Sequence, residues 1–343
     1  MRIKRAYWGT DDVYIDVTPI VESCLEKAPS FKAGNEVFSD PVPGTYKKLT
    51  VVTDDKTYTT FETSFFSFHK KKLIKEKLGY YAIKEKAIYD YIDSIDENTD
   101  CFEEHLVFTI INHTTKTGVV VSKPDTYAGF YCYVAYYFKK MNDIVNVYGY
   151  KLVRLFTLDG YTIYKDNNED DLYQIIFQKN DSPDNFFRQW FSPSELVLSK
   201  IKEIKTKHDI NTKRTIGVYY RGTDKIREIK LPTVDEYYKV IDTLDSDFKI
   251  FLQTDQQQVL DDFKNKYGDR VVYLDELPLS STSKSTYHTQ KENRVKNAIE
   301  FNAALTILSQ CHTLLMTDGS NVSGYLWKIR SPRLNDTSTH SIK

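Results

Sequence analysis

Residues 215–225, TIGVYYRGTDK, decide how this chain is read. Thr215 to Tyr220 are β-branched or aromatic apart from one glycine, the composition of a short buried strand, and a lysine-rich helical pattern precedes them. The apolar run stops at Arg221, Gly222, Thr223, Asp224 and Lys225. Open α/β sheets bind ligands beyond the carboxyl ends of their strands, so an arginine there points at a ligand. Its planar fork of donors matches phosphate or carboxylate oxygens, and Gly222 permits close backbone approach. These five residues alone fit a surface turn closed by an Arg221–Asp224 pair equally well. The context has to separate the two.

Downstream, the alternation repeats. A helix is expected from about Val234 to Leu244, then strand 249–253, helix 256–267, strand 270–274, helix 293–310, strand 313–316 and a last helix from about Val322. The tail after Ser331 reads as frayed. Two more strand ends in this half are polar: Thr254-Asp255, where Asp255 could also cap the next helix, and Thr317-Asp318-Gly319-Ser320-Asn321, which opens a helix. Free amides and the positive end of a helix make an anion site. Any one of these is an ordinary helix cap. Three on one rim, with an arginine among them, describe a phosphate-binding crevice.

Upstream, residues 1–72 alternate as short strands with a helix at 18–27, Pro19 standing just inside its start. No catalytic constellation falls there, and Asp11-Asp12 reads as a solvated turn. Residues 70–96 look helical, 97–100 a polar break, 105–112 a buried strand, 130–147 a helix and 150–156 the next strand: a strand–helix–strand unit. Within 186–205, Ser192 with Pro193 and Glu195 reads as a helix start. The expected fold is α/β: a β-rich module (1–72), a first Rossmann-like half (73–205) and a second (206–335).

Composition narrows the function. The 343 residues are 41% hydrophobic and 28% charged with net charge -1, which disfavours electrostatic binding of nucleic acid or membrane surfaces. Cys24, Cys101, Cys132 and Cys311 lie far apart without a CxxC pair, fitting reduced thiols in a cytoplasmic chain. No transmembrane segment is expected, because no run approaches about 18 apolar residues. The second half has no GxxxxGK[ST] and no GxGxxG, and no GxSxG elbow occurs. Asp245-Ser246-Asp247 has the form of a metal-binding DxD, but it precedes a strand, opposite the crevice, and reads as a turn. A phosphate site without P-loop or metal cage suits a nucleotide-sugar transferase whose diphosphate leaves under arginine and helix-amide stabilisation.

IGVYYRGTDK, Pro232 with Glu236-Tyr237-Tyr238, FLQTDQ, LSQC and TDGSNVS together resemble the fucosyltransferase superfamily, its alpha-1,6 and nodulation branch in particular. The resemblance is good over 210–328, weaker over 105–200 and absent from 1–70. It implies a GT-B-like fold, GDP-fucose as donor, a glycan acceptor, inversion at the anomeric carbon and no metal or other cofactor. By that resemblance Arg221 holds the donor β-phosphate, Ser320 and Asn321 bind the pyrophosphate, and Asp255 is the donor-site acid. Gly222, Thr223, Lys225, Thr254 and Thr317 complete the donor-binding set, while Asp224 matches a family aspartate. Glu228 is the nearest candidate for the general base, or else a surface glutamate beside Arg227. At the base-reading positions the family histidine is Tyr219 here and the family acid is Ala304, with Glu300 one turn earlier as a substitute. Two rival readings stay open: transfer from another nucleotide sugar, and a degenerate transferase kept as a glycan- or protein-binding module.

Overall fold

The computed structural model describes residues 2–80, 86–96, 98–104, 106–123, 130–156, 175–180, 186–223, 230–280, 294–330 and 338–342. They fall into two compact units, Met1–Ile163 and Tyr164–Lys343. The chain is α/β throughout, a β-rich N-terminal module coming first, as its sequence suggests.

In the first unit the module is an antiparallel sheet of β1 (Ile3–Gly9), β2 (Tyr14–Asp16), β4 (Lys48–Thr53) and β5 (Thr57–Phe61), ordered β2-β1-β4-β5. A two-stranded patch joins β3 (Phe31–Lys32) to β6 (Phe65–Phe66). The alternating burial of β4 turns Leu49 and Val51 into a core with Trp8, Val21, Phe38 and Phe66. Helix Thr18–Lys27 has the expected bounds, with Pro19 in its first turn where a missing N–H costs nothing.

The same unit carries a second sheet, ordered β10-β9-β8-β7. Its strands are β7 (Thr99–Glu103), β8 (Val107–Asn112), β9 (Thr117–Ser122) and β10 (Lys151–Phe156). Two expectations are corrected here. Residues 97–100 are not simply a polar break, because Thr99 and Asp100 open β7. The strand that feeds helix Phe130–Asn142 is β9, which pairs parallel to β10; β8 instead turns back on β9 through His113–Lys116. The hairpin forms because Asn112 Oδ1 accepts from the Thr115 amide at 2.9 Å and Lys116 takes a positive φ of 52°. Beneath these strands lies a buried polar chain. Lys70 Nζ donates to Thr60 Oγ1 (2.8 Å) and the Phe65 carbonyl (2.7 Å) and stands 3.6 Å from Asp100 Oδ1; Asp100 Oδ2 meets His113 Nε2 at 2.8 Å.

The second unit is organised by β13 (Thr215–Tyr220), all six of whose residues are buried. It lies between β14 (Lys249–Thr254) and β16 (Thr313–Thr317), parallel to both. Outside these run β15 (Val271–Val272) and β17 (Ser338–Ile342), giving the all-parallel order β15-β14-β13-β16-β17. Ile216, Val218 and Tyr220 face a core with Tyr237, Ile250, Leu252, Phe263 and Leu315. On the other face, a Cβ on Gly217 would come within 3.0 Å of Leu308 Cδ2 and 3.2 Å of Cys311, so glycine lets helix Arg294–Gln310 lie close against the strand. The helix Val234–Ile241 starts where Thr233 donates its amide to Glu236 Oε2 at 2.6 Å.

Two further expectations change. Helix Glu195–Lys207 is capped by Ser194, not Ser192: Ser192–Pro193 (β12) is drawn into an antiparallel pair with Phe177–Gln178 (β11). The tail is not frayed throughout, because β17 completes the sheet.

Candidate functional site

Numbered by their succession in the chain, the strands lie in the order 3-2-1-4-5, and the direction in which strands are added to the sheet reverses between β13 and β16. In such sheets the ligand crevice opens beyond the carboxyl ends of the two strands flanking that switch point. Here those ends are Arg221 and Thr317–Ser320.

Arg221 is tied to both neighbouring strands. Its amide donates to Thr317 Oγ1 at 2.9 Å, and its guanidinium Nη1 pairs with Asp255 Oδ2 beyond β14. The side chains of Arg221 and Asp255 are only 12% and 11% exposed, so this pair is largely shielded from water. Asp255 also accepts from the Gly222 amide (2.9 Å) and from Thr223 Oγ1 (2.6 Å). Three donors of the Arg-Gly-Thr turn thus converge on one carboxylate. That is why Asp255 does not cap the following helix: the residue before that helix is Gln256, and it makes no side-chain cap. Arg221 and Asp255 are thus joined across 34 residues of chain, and the expected Arg221–Asp224 pair lies outside the described residues.

Thr254 and Thr317 spend their hydroxyls on the chain itself. Thr254 Oγ1 accepts from the Gln256 amide at 3.1 Å; Thr317, fully buried, takes the Arg221 amide and stands 2.9 Å from Tyr237 Oη. Burial pushes the Tyr237 phenol up, so it stays a neutral hydroxyl. After Thr317 the chain turns at Gly319 (φ 73°), and Ser320 Oγ accepts from the Ser323 amide at 3.0 Å to start helix Asn321–Ile329. Ser323 Oγ donates back to the Thr317 carbonyl at 2.6 Å. Asn321 stands exposed at the first helical position, beside the positive end of the helix.

Of the base-reading candidates, Tyr219 is buried in β13. Glu300 is also buried, with Lys200 Nζ at 3.7 Å and Lys296 Nζ at 3.9 Å from Oε1, while its Oε2 has no hydrogen-bond partner. Asp224, Lys225 and Glu228 lie outside the described residues. Asp245–Asp247 forms the expected turn, Asp245 Oδ1 accepting from the Asp247 amide at 2.9 Å. Among the described residues no three His, Cys, Asp or Glu side chains are grouped to hold a metal ion, and no helix is long and apolar enough to cross a membrane. Tyr237 and Ser323 stood in the sequence only as members of the motifs Glu236-Tyr237-Tyr238 and TDGSNVS, without a role of their own, and Ser341 carried no signal.

No family model matches the chain, and no curated protein does. Among solved structures it is similar to the NodZ alpha-1,6-fucosyltransferase co-crystallised with GDP, at 17% identity over 41% of this chain and 43% of that one, TM-score 0.29. Fucosyltransferase NodZ from Bradyrhizobium gives 17% identity over 41% and 44%, TM-score 0.30. The NodZ enzyme soaked with GDP-fucose gives 21% over the same shares, TM-score 0.27. The matched part thus spans under half the length of those chains.

Proposed function

We propose that this chain is a glycosyltransferase whose second unit binds a nucleotide-sugar donor, GDP-fucose by the sequence resemblance. Fucose would pass to a glycan acceptor with inversion and without a metal. The observation that carries the reading is the strand-order switch, which sets Arg221 beside the Ser320-capped helix start. An arginine fork and free helix amides on one rim are suited to a diphosphate leaving group. In this reading Asp255 holds Arg221 and the Gly222–Thr223 turn in place. Asn321 offers its amide to the pyrophosphate, and Glu300 turns its unpartnered oxygen to a donor N–H of the base. Lys225 belongs to the same donor set, and Asp224 and Glu228 are the acids proposed for the reacting hydroxyl.

Removing a phosphate-clamping arginine costs about 2–5 kcal/mol, roughly 30- to 5,000-fold in kcat/KM. The test is release or transfer of fucose from GDP-fucose by the purified chain and by Arg221→Ala. Equal turnover by both would sink the assignment. Tyr219 and Ala304, both buried where the family carries a histidine and an acid, favour a second reading in which the base, and with it the sugar, differs. A larger thermal shift with UDP than with GDP would select it.

A further inference from the structure

We propose that the C-terminal strand β17 is a clasp that fixes the Asp318–Asn321 turn, so that docking of this strand and ligand occupancy of the turn are coupled. β17 lies parallel to β16 in continuous register from Thr313↔Ser338 to Thr317↔Ile342. The contact then continues past the strand and into the turn. The Asp318 amide donates to the Ile342 carbonyl at 3.0 Å, and Ser341 Oγ donates to Asp318 Oδ1, also at 3.0 Å. Asp318 is therefore held by both backbone and side chain from one flank. From the other flank Thr317 is held by the Arg221 amide and the Tyr237 hydroxyl. Between these two grips the chain reverses at Gly319 and presents Ser320 and Asn321.

The two grips differ in strength. β13 is central and wholly buried, whereas β17 is an edge strand anchored in the core by Ile342, with Ser341 exposed. Elements with so little buried apolar surface open at the low end of a protein's stability range. Opening β17 removes both bonds to Asp318 and frees the turn to rotate about Gly319. Linkage makes the effect reciprocal: a ligand bound on the ordered turn must hold β17 down by the same factor by which β17 favours the ligand. The nature of that ligand rests on the donor-site reading; the clasp does not.

Hydrogen exchange on the full chain tests this, comparing the parent with Ile342→Pro and Ser341→Ala and following peptides over 317–323 and 338–342. Proline cannot donate to the ladder, so Ile342→Pro releases the strand. The expected result is exchange over 317–323 faster by about tenfold or more, with a smaller change in the same direction for Ser341→Ala should the proline variant fold poorly. GDP, used as the probe, should slow exchange over 338–342 in the parent. A turn that exchanges at the parent rate while 338–342 exchanges freely would overturn the proposal. If GDP does not bind the parent at all, the donor-site reading fails and the comparison between variants still decides the clasp.

Discussion

Replacing Asp255 by alanine attacks the point on which the Arg221 turn depends. The carboxylate accepts from the Gly222 amide at 2.9 Å and Thr223 Oγ1 at 2.6 Å and pairs with the Arg221 guanidinium, in a place where both charged side chains are nearly nine-tenths covered. Deleting one partner of a shielded pair costs about 3–5 kcal/mol, and the freed amide and hydroxyl lie within that range. For a unit of this size that is a loss of about 10 °C in Tm. Differential scanning fluorimetry on Asp255→Ala, Arg221→Ala and the double variant reads it. Once Asp255 is gone the Arg221–Asp255 contact cannot be lost a second time, so the double variant should fall short of the sum by about 1–3 kcal/mol. An Asp255→Ala chain melting within about 2 °C of the parent, or a strictly additive double variant, would refute the clamp.

Three other outcomes follow, two at the same rim and one in the first unit. Thr317→Val keeps the shape but removes the acceptor of the Arg221 amide and the nearer of two partners of the Tyr237 hydroxyl, which keeps only the Tyr219 carbonyl at 3.5 Å, and urea denaturation should show a loss of about 1–3 kcal/mol. Gly222→Ala should fold within about 1 kcal/mol of the parent, because the atoms nearest the added Cβ are the movable end of the Gln256 side chain; a larger loss in a melting curve would mean that the turn cannot yield. In the first unit, burial pushes the Asp100 carboxyl up, but the His113 bond and the Lys70 charge outweigh it and hold the group below its ordinary value. A lowered carboxyl stabilises the fold above its unfolded pKa, near pH 4, and that contribution disappears as pH falls through the folded value. Asp100→Asn should therefore flatten the acid limb of stability against pH, and an unchanged limb would contradict the assignment.

The sequence made the rim of the second unit legible because central parallel strands are buried on both faces. TIGVYY, KIFLQ and TLLM stand out as apolar runs that end abruptly in polar residues. Helix Thr18–Lys27 was legible from its proline. β17 was not, since STHSI is polar and, among its described side chains, only Ile342 enters the core; an edge strand is made by its neighbour rather than by its own pattern. β9 was hidden because the turn before it has no glycine or proline, Lys116 bearing the positive φ instead. Ser192 and Ser194 flank one proline and look equivalent as caps, and pairing with β11 removes the first. The role of Asp255 depends on donors more than thirty residues away, which local spacing cannot register.

The central claim is a diphosphate-binding nucleotide site at Arg221, and isothermal titration of GDP into the parent and into Arg221→Ala tests it most directly. Binding by the parent that is weakened at least about 30-fold in the variant, both chains giving the same circular dichroism, is the expected result. Equal binding by the two chains, or none by the parent with either GDP or UDP, would contradict it.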